Sequence, residues 1–482
     1  MDKYKKLASN TIIFAIGTFS SKVLTILLTS FYTRVMPTGG FGGATLIQNA
    51  VNILVPVVTL AVNSAALRFA IDKSTDKKGV FTTGLATTLI GFVIFCLFSP
   101  FVAMIKINDF NLGEYAVLLY VMLLGTSLRE LTQQFIRGIG HVKIFAIDGV
   151  IATGTTALFT FLYLGVFNFG IYGYILAIFS SDILSVLFMF ITVKLWRYID
   201  FRHGLKKDLV SSMLKYCIPL IPTIILWWII NVSDQYIVTY YNGVDVSGIY
   251  TAAYKIPNLI VIFATIFINA WQLSAVDEYD SQGKAEFFTK VFKVYSGSLI
   301  VVGAFLITGS RLITSIYLGK AFYDAWQYEP ILVIATTFSN LVNFYASIYM
   351  AEKKSVLSML TAGTGAVANI VLNFILIPKM GQYGPYGAAI ATAASFVLVF
   401  IIRVFNTKKF VNIKIDYFRF ILSCMLMVAS VLVMVFEVGG EWGSFGISLA
   451  ITAVIVLVNI GAVIDIAKLL LGKFLKKRGQ SA

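Results

Sequence analysis

Long apolar runs separated by short polar stretches fill the chain from end to end. A helix that crosses a bilayer needs about 20 mostly apolar residues, and the runs divide into about fourteen segments of that size. We predict an all-α polytopic membrane protein with helices over 9–33, 42–66, 80–105, 115–136, 144–167, 171–196, 214–240, 247–273, 288–310, 327–350, 355–378, 386–405, 416–436 and 444–470. The first run is too long for the apolar core of a cleaved signal peptide.

Charged residues cluster at the ends of these segments, and lysine and arginine outnumber aspartate and glutamate by 38 to 23. Cytoplasmic connections of membrane proteins retain an excess of Lys and Arg. With a cytoplasmic N-terminus, most of the 38 fall at cytoplasmic ends, Arg129 and Arg403 among them. The outer ends hold Arg34, Lys106, Arg311, Lys320 and Lys379. We therefore predict a multi-pass protein of the cytoplasmic (cell) membrane with both termini in the cytoplasm.

Composition excludes several classes of function. Hydrophobic residues make up 58% of the chain and charged residues 13%, against roughly 45–50% and 25% in soluble domains, so a soluble enzyme is excluded. The three cysteines and two histidines show no ligand spacing, and we predict no metal site, no catalytic residues and no resident cofactor. The short outer connections offer no room for the catalytic groups of a membrane enzyme of glycan assembly.

The basic residues border helices and form no single groove, so we expect no nucleic-acid partner.

Part of the chain repeats at an offset of a little over two hundred residues. The matches include Gly42 with Gly248, Thr45 with Thr251, Asn52 with Asn258, Gly149 with Gly363, and Gly173 with Gly387. Transporters are often built from such repeats. We predict an N-terminal lobe over 1–198, a cytoplasmic linker over 199–213, a C-terminal lobe over 214–406, and two additional helices with a basic cytoplasmic tail over 407–482.

Polar side chains recur at helical spacing on one face of several predicted segments. Such faces mark either a helix contact or a wet cavity, and both interpretations remain open for any single hydroxyl or amide. We predict a central cavity whose substrate-binding residues are Lys22, Arg34, Asn49, Asn52, Asn63, Lys255, Asn258, Asn269, Asn340 and Asn343.

Charged residues inside apolar segments are the strongest of these signals. A lysine at the centre of a membrane helix costs about 2.5–3.5 kcal/mol on insertion scales, so Lys22 should face a partner, water or an anionic ligand. Lys255 and Arg34 lie nearer an interface and could also be plain anchors. The acids Asp234 and Asp182 either pair with Lys22 or Lys255, or bind a coupling H+ or Na+.

Two stretches of the chain resemble a known family. The first contains Ser233-Asp234-Gln235-Tyr236, Gly248-Ile249-Tyr250 and Ala253-Tyr254-Lys255-Ile256. The second contains Lys353-Lys354, Gly363, Asn369, Asn373, Ile377-Pro378, Gly381, Gly384 and Gly387-Ala388-Ala389-Ile390-Ala391-Thr392. They are similar to segments of the multidrug/oligosaccharidyl-lipid/polysaccharide exporter superfamily, and most of all to its polysaccharide-biosynthesis branch, the O-antigen (Wzx-type) flippases.

The resemblance implies a two-lobed transporter that moves a polyprenyl-diphosphate-linked oligosaccharide from the inner to the outer leaflet by alternating access, for O-antigen, capsule or another cell-surface polysaccharide. Lys22, Lys255 and Arg34 would then hold the diphosphate, and the amide stripes would hold the sugar. The prenyl tail would stay among membrane lipids, beside the two additional helices. Polysaccharide assembly proteins are further expected partners. The alternatives are a lipid II flippase, a drug/cation antiporter of the same superfamily, and the membrane enzyme disfavoured above.

Overall fold

The structure is a computed structural model, and its described residues are 24–277, 279, 283–352, 354–462 and 464. Helices dominate this part of the chain, together with one short antiparallel hairpin. The helices are α1 (24–35), α2 (Thr38–Val58), α3 (Val62–Ile71), α4 (Lys77–Cys96), α5 (Ser99–Ala103), α6 (Ala116–Gly138), α7 (Val142–Thr160), α8 (Gly170–Val193), α9 (Lys207–Cys217), α10 (Ile221–Asn242), α11 (Val244–Ala253), α12 (Asn258–Asp277), α13 (Lys284–Tyr317), α14 (Glu329–Ala351), α15 (Ser355–Met380), α16 (Gly384–Thr407), α17 (Tyr417–Val435) and α18 (Gly440–Val458). The hairpin pairs β1 (Lys106–Ile107) with β2 (Phe110–Asn111).

Within the described residues, 12 segments are long and apolar enough to cross a membrane. One of them, Val356–Thr407, contains both α15 and α16, which are joined by the 3-10 turn Gly381–Tyr383. The prediction of an all-α polytopic membrane protein is thereby confirmed. The number fourteen and the side of the membrane on which each terminus lies stay predictions.

The apolar run predicted as one helix over 42–66 is interrupted in the structure. α2 ends at Val58. After Thr59, Leu60 and Ala61 have φ angles of 51° and 53°, in the left-handed region that few non-glycine residues adopt. The Ala61 N–H bonds to the carbonyl of Pro56 at 2.7 Å, one residue further back than in a regular α-helix. The interruption places Asn63 in the first turn of α3.

A second interruption divides the segment predicted over 247–273. α11 ends at Ala253 and α12 begins at Asn258, with a turn over 254–257 between them. Pro257 closes this turn, and its missing N–H cannot continue the hydrogen-bond pattern of the preceding helix. Lys255 therefore lies in a turn and not in a helix. Discontinuous helices are a common feature of transporter binding regions.

The chain divides into two compact units. Unit 1 comprises the described residues up to Trp228 together with Val238–Gly248, and unit 2 comprises Ile229–Ile237 with the described residues from Ile249 onward. The division thus passes through α10. The lobes, linker and additional helices drawn from the repeat at 1–198, 199–213, 214–406 and 407–482 stay a prediction.

The segment predicted as a linker over 199–213 is ordered by local bonds. Asp200 accepts the backbone N–H of His203 at 3.0 Å, which holds the pKa of this exposed carboxyl below its ordinary value. α9 begins at Lys207 and extends to Cys217, beyond the predicted end of the linker.

The core of unit 1 is built from α3, α4, α6, α8 and α9. Val62, Phe81, Phe135, Met189 and Cys217 are among its buried members. The rings of Phe81 and Phe135 lie 4.8 Å apart at a tilted angle, a favourable geometry for aromatic pairs. This packing fixes α6 against α3 and α8, the helices that carry Asn63 and Asp182.

Unit 2 has an aromatic core, in which Trp271 stacks on Phe344 at 4.7 Å and donates a hydrogen bond to Ser347 at 2.8 Å. A ladder of neutral polar groups joins α13 to α18 and α18 to α17, where Ser430 bonds to Ser448 at 2.6 Å. Thr308 bonds to Ser448 and Thr452 at 2.7 and 2.8 Å. Hydroxyl contacts of this kind hold membrane helices together, so the two last helices of the described chain are anchored on α13.

Candidate functional site

The predicted binding residues of unit 1 are spread along α1 to α3. Lys22 lies outside the described residues, and Arg34 is exposed near the end of α1. Asn49 is half-buried and Asn52 exposed on α2. Asn63 is buried and donates a hydrogen bond to Glu130 of α6 at 2.9 Å.

Asp182 is a buried acid of unit 1, and it has a cationic partner. It lies in α8 with 2% of its surface exposed. Its carboxylate accepts Arg129 Nη1 at 2.9 Å and the hydroxyl of Thr126 at 2.8 Å. The ion pair predicted with Lys22 or Lys255 is therefore formed by Arg129, a residue of the same unit.

A second carboxylate shares this arginine. Asp148 of α7 is fully buried, and its Oδ2 lies 3.9 Å from Arg129 Nη2. Asp148 also accepts Gln133 Nε2 at 2.6 Å and the hydroxyl of Ser185. We call Thr126, Arg129, Gln133, Asp148, Asp182 and Ser185 the Arg129 network. Its fixed guanidinium donors satisfy acids from two helices, which suits arginine geometry.

The sequence places Arg129 and Arg403 at cytoplasmic helix ends, and in the structure both side chains bond to partners inside their units. Arg129 lies inside α6, more than two turns before its end. Arg403 of α16 is 0% exposed and donates to the carbonyl of Val342 at 2.8 Å and to the hydroxyl of Thr361 at 3.1 Å. The positive-inside pattern counts residues by their position along the chain and does not detect an arginine that turns inward to a partner.

Asp234 is a buried acid of unit 2, and its hydrogen-bond partners are all neutral. It is 1% exposed. Its Oδ2 accepts the hydroxyls of Tyr250, Tyr254 and Thr392 at 2.7, 2.6 and 3.2 Å, and its Oδ1 accepts the Gln235 N–H at 2.9 Å. No lysine or arginine of the described chain forms an ion pair with it.

Two asparagines of α15 extend this group. Asn369 donates to Thr392 at 3.1 Å and accepts the hydroxyl of Ser233 at 3.2 Å. Asn373 donates to Asn369 at 3.0 Å, and its own Oδ1 is buried without a hydrogen-bond partner in the described structure. We call Asp234, Tyr250, Tyr254, Asn369, Asn373 and Thr392 the Asp234 cluster. It offers a carboxylate and an unpaired amide oxygen in a buried position.

The remaining predicted residues of unit 2 have different surroundings. Lys255 is half-buried in the turn after α11, and Asn258 is exposed at the start of α12. The side chain of Asn269 lies outside the described part. Asn340 is buried and donates to the carbonyl of Thr336 in its own helix at 2.8 Å, whereas Asn343 is half-buried. The bond of Asn340 is intrahelical, so it carries no evidence of a ligand.

Several residues of the two polar groups could have been found from the sequence, although the sequence analysis assigns them no role. Every member of the Asp234 cluster lies in one of the two stretches that resemble polysaccharide exporters. Glu130 and Asp148 are acids inside predicted membrane segments, the same signal that singled out Asp182. No group of three His, Cys, Asp or Glu residues suited to a metal ion occurs among the residues described here.

The comparison with family models decides the family. Residues 7–272 match the model described as "Polysaccharide biosynthesis protein", which is more than half of the chain. This chain belongs to the polysaccharide biosynthesis protein family. No curated protein matches it.

Solved structures show the fold of this family member. It is similar to "Lipid II flippase MurJ, inward closed conformation" with a TM-score of 0.70 and 16% identity, covering 96% of this chain and 100% of that chain. It is also similar to an inward-facing multidrug resistance MATE family transporter of the MOP superfamily, with a TM-score of 0.67, 14% identity and coverage of 81% and 95%. These two neighbours are a flippase and a transporter, and the likeness shows that this chain has their fold. The membership of a polysaccharide-biosynthesis family that the sequence predicts is confirmed.

Proposed function

We propose that the protein is a flippase that moves a polyprenyl-diphosphate-linked oligosaccharide from the inner to the outer leaflet of the cytoplasmic membrane. It does so by alternating access and supplies the assembly of a cell-surface polysaccharide such as O-antigen or capsule. The observation that carries the proposal is the combination of a polysaccharide biosynthesis family match with a flippase-like fold over 96% of the chain.

The substrate chemistry is consistent with the residues predicted from the sequence. A diphosphate needs fixed cations away from bulk water, and we assign that role to Lys22, Arg34 and Lys255. The sugar needs amide donors and acceptors, which we assign to Asn49, Asn52, Asn63, Asn258, Asn269, Asn340 and Asn343. Asn52 and Asn258 support the assignment because both are exposed polar residues in helices that the bilayer would otherwise favour as apolar.

The prenyl tail has a candidate path in unit 2. An apolar groove of about 650 Å³ runs along α17 between α14 and α16. Its lining includes Phe338, Val404, Phe420, Met425 and Val428. A tail in this groove would bury apolar surface without any polar contact, whereas the headgroup would stay with the polar residues.

Asp234 is the acid that we propose to couple transport to an ion. Its neutral partners leave the charge of the carboxylate uncompensated by any cation of the described chain, and an uncompensated charge in a membrane interior is costly. Binding of H+ would remove this charge, and binding of Na+ would balance it with oxygen ligands such as the unpaired Oδ1 of Asn373. Asp182 already has Arg129 as its counter-ion, so we assign it a structural role.

The direct test is deletion of the gene, followed by analysis of the lipid-linked glycans. We expect a prenyl-diphosphate-linked oligosaccharide to accumulate in the inner leaflet and the intact gene to reverse the accumulation. The Lys22→Ala variant should restore little or no flipping at a normal protein level, and full complementation would remove Lys22 from the mechanism.

A lipid II flippase is the second candidate, favoured by the fold similarity to such a flippase along its entire length. The same deletion separates the candidates because lipid II itself would then accumulate. A drug/cation antiporter would leave both lipid pools unchanged and alter drug susceptibility, and a glycan-assembly enzyme would leave an unfinished glycan.

A further inference from the structure

Helix α2 begins without a cap of its own. The residue before it is Pro37, which offers no side-chain hydrogen bond to the first turn. Asp245 of α11 takes this role, because its carboxylate accepts the N–H of Gly39 at 2.7 Å and the hydroxyl of Thr38. The first N–H groups of a helix lack partners and carry partial positive charge, so the carboxylate ties the start of α11 to the start of α2.

Helix α11 is capped in turn by the β-hairpin. Asp109 at the hairpin tip accepts the N–H of Val244 at 3.0 Å. The neighbouring Phe110 packs on α2 so closely that a Cβ on Gly43 would lie 2.5 Å from its ring. The hairpin therefore rests on α2 while it holds the first turn of α11.

Two glycines bring the two helix backbones into contact. A Cβ on Gly42 would lie 2.4 Å from the carbonyl oxygen of Val244, and one on Gly248 would lie 2.1 Å from that of Thr38. Only residues without a side chain permit this approach. Gly42 and Gly248 are also equivalent positions of the sequence repeat, so corresponding residues of the two halves form this crossing. All of these residues belong to unit 1.

We propose that Asp109, Asp245 and the Gly42–Gly248 crossing form a releasable α2–α11 latch, which opens and closes once in each transport cycle. This inference rests on the proposed function, since only a protein that alternates between two states needs such a device. The predicted topology, with the N-terminus in the cytoplasm, puts the latch on the outer side of the membrane.

The bonds of the latch are of a kind that can open at low cost. Asp109 and Asp245 are exposed, and each bonds to backbone N–H groups and not to a buried cation. On release, the N–H groups and carboxylates can bind water, so no buried polar group is left without a partner. The Arg129 network of the same unit lacks this property because its acids are buried.

The first experiment measures opening directly in the purified protein. Ser247 is fully buried one turn beyond the start of α11, so a Ser247→Cys reporter should react slowly with a membrane-impermeant maleimide. Cys96, Cys217 and Cys424 are first replaced by serine or alanine. Adding Asp245→Asn or Asp109→Asn should raise the labelling rate about two- to tenfold, the range expected when a charge-assisted hydrogen bond becomes a neutral one.

Asp72→Asn is the matched control. Asp72 is also an exposed aspartate of unit 1 that accepts a backbone N–H, that of Ser74 at 3.0 Å, but it lies outside the latch. It should leave the labelling rate unchanged. Equal rates in all three variants and the parent would overturn the latch. Because no substrate is present, this result does not depend on the identity of the transported lipid.

The second experiment locks the latch. The side chains of Thr38 and Asp245 are in contact, so a Thr38→Cys/Asp245→Cys pair should form a disulfide under oxidation. In a deletion strain that carries the pair, new surface polysaccharide should stop appearing on oxidation and resume on reduction, while each single-cysteine variant should not respond. Absence of the cross-link would contradict the contact between Thr38 and Asp245. If the cross-linked protein exports polysaccharide as fast as the chemically reduced protein, the latch does not need to open during transport. If the deletion strain shows no glycan defect while labelling still responds to Asp245→Asn, the proposed function fails and the latch stands.

Discussion

Asp182 and Asp234 are both buried acids in a membrane protein, yet their surroundings differ. Asp182 is bonded to Arg129 at 2.9 Å, and the same guanidinium approaches Asp148. Asp234 is surrounded by three hydroxyls and a backbone N–H. The charge of the first is balanced within its own unit, whereas the charge of the second is balanced by no cation of the described chain. The type and depth of a residue are therefore insufficient to assign its role, and the partner decides.

The largest expected effect comes from removing the shared cation. Arg129→Met leaves two buried carboxylates without their counter-ion, and breaking a buried ion pair costs about 3–5 kcal/mol. The free energy of unfolding in detergent should fall by that amount. Arg137→Met, at an exposed position near the end of the same helix, removes only a contact with the Phe145 ring and should change this free energy by no more than about 1 kcal/mol. A small effect of Arg129→Met would mean that the network adds little to stability.

Replacing each of the two acids by asparagine should separate an effect on stability from an effect on transport. Asp182→Asn weakens a charge-assisted bond worth about 1.5–3 kcal/mol, so it should lower stability while flipping per folded molecule is retained. Asp234→Asn keeps a hydrogen-bonding side chain but removes the titratable group, so flipping should fall about tenfold or more with stability within about 1 kcal/mol of the parent. Lipid-linked glycan pools and unfolding curves measure the two effects. Loss of flipping in Asp182→Asn together with loss of stability in Asp234→Asn would contradict the roles that we assign to the two acids.

Removing one hydroxyl from the Asp234 cluster should have a smaller effect. Tyr254→Phe deletes the 2.6 Å bond to the carboxylate and preserves the ring. A single hydrogen bond contributes about 0.5–1.5 kcal/mol, so flipping should fall roughly two- to tenfold. Tyr163→Phe in unit 1, which removes a long 3.4 Å contact to Ser180, is the control and should flip at the parental rate. Equal rates for both variants would show that the Tyr254 hydroxyl does not act through Asp234.

The neutral ladder between α13, α17 and α18 should respond least. Thr308→Val removes the hydroxyl that bonds to Ser448 and Thr452. Polar contacts between membrane helices are worth about 0.6 kcal/mol on average, so stability should fall by about that amount and flipping should not change. Loss of flipping without loss of stability would assign these hydroxyls to the transport path instead.

The sequence predicted the helical membrane fold because apolar length and loop charge are local properties. It did not predict the interruptions at 59–61 and 254–257. At the first, Leu60 and Ala61 adopt left-handed angles although their side chains continue the apolar run. These angles are stabilised by packing against another helix. Gly91 approaches the carbonyl of Val58 so closely that a Cβ on this glycine would lie 1.9 Å from its oxygen.

The candidate site was predicted in part. Asp182 and Asp234 were identified because acids are rare inside membrane segments. Their partners were not, since Arg129 lies 53 residues from Asp182 and Thr392 lies 158 residues from Asp234. Helical periodicity describes one helix at a time and carries no information on which helix a polar face meets. The Asn residues on the predicted stripes illustrate the limit, because Asn63 bonds to another helix and Asn340 to its own.

The most direct test of the account asks whether Asp234 couples flipping to an ion. Membrane vesicles of the deletion strain, carrying the strain's own radiolabelled lipid-linked glycan and one variant of the protein, are exposed to an imposed pH or Na+ gradient, and the glycan that reaches the opposite leaflet is measured by its susceptibility to periodate. We predict that a gradient of one of these ions accelerates flipping by the parent and by Asp182→Asn, and leaves Asp234→Asn unaffected. Equal acceleration of Asp234→Asn and the parent would contradict the account.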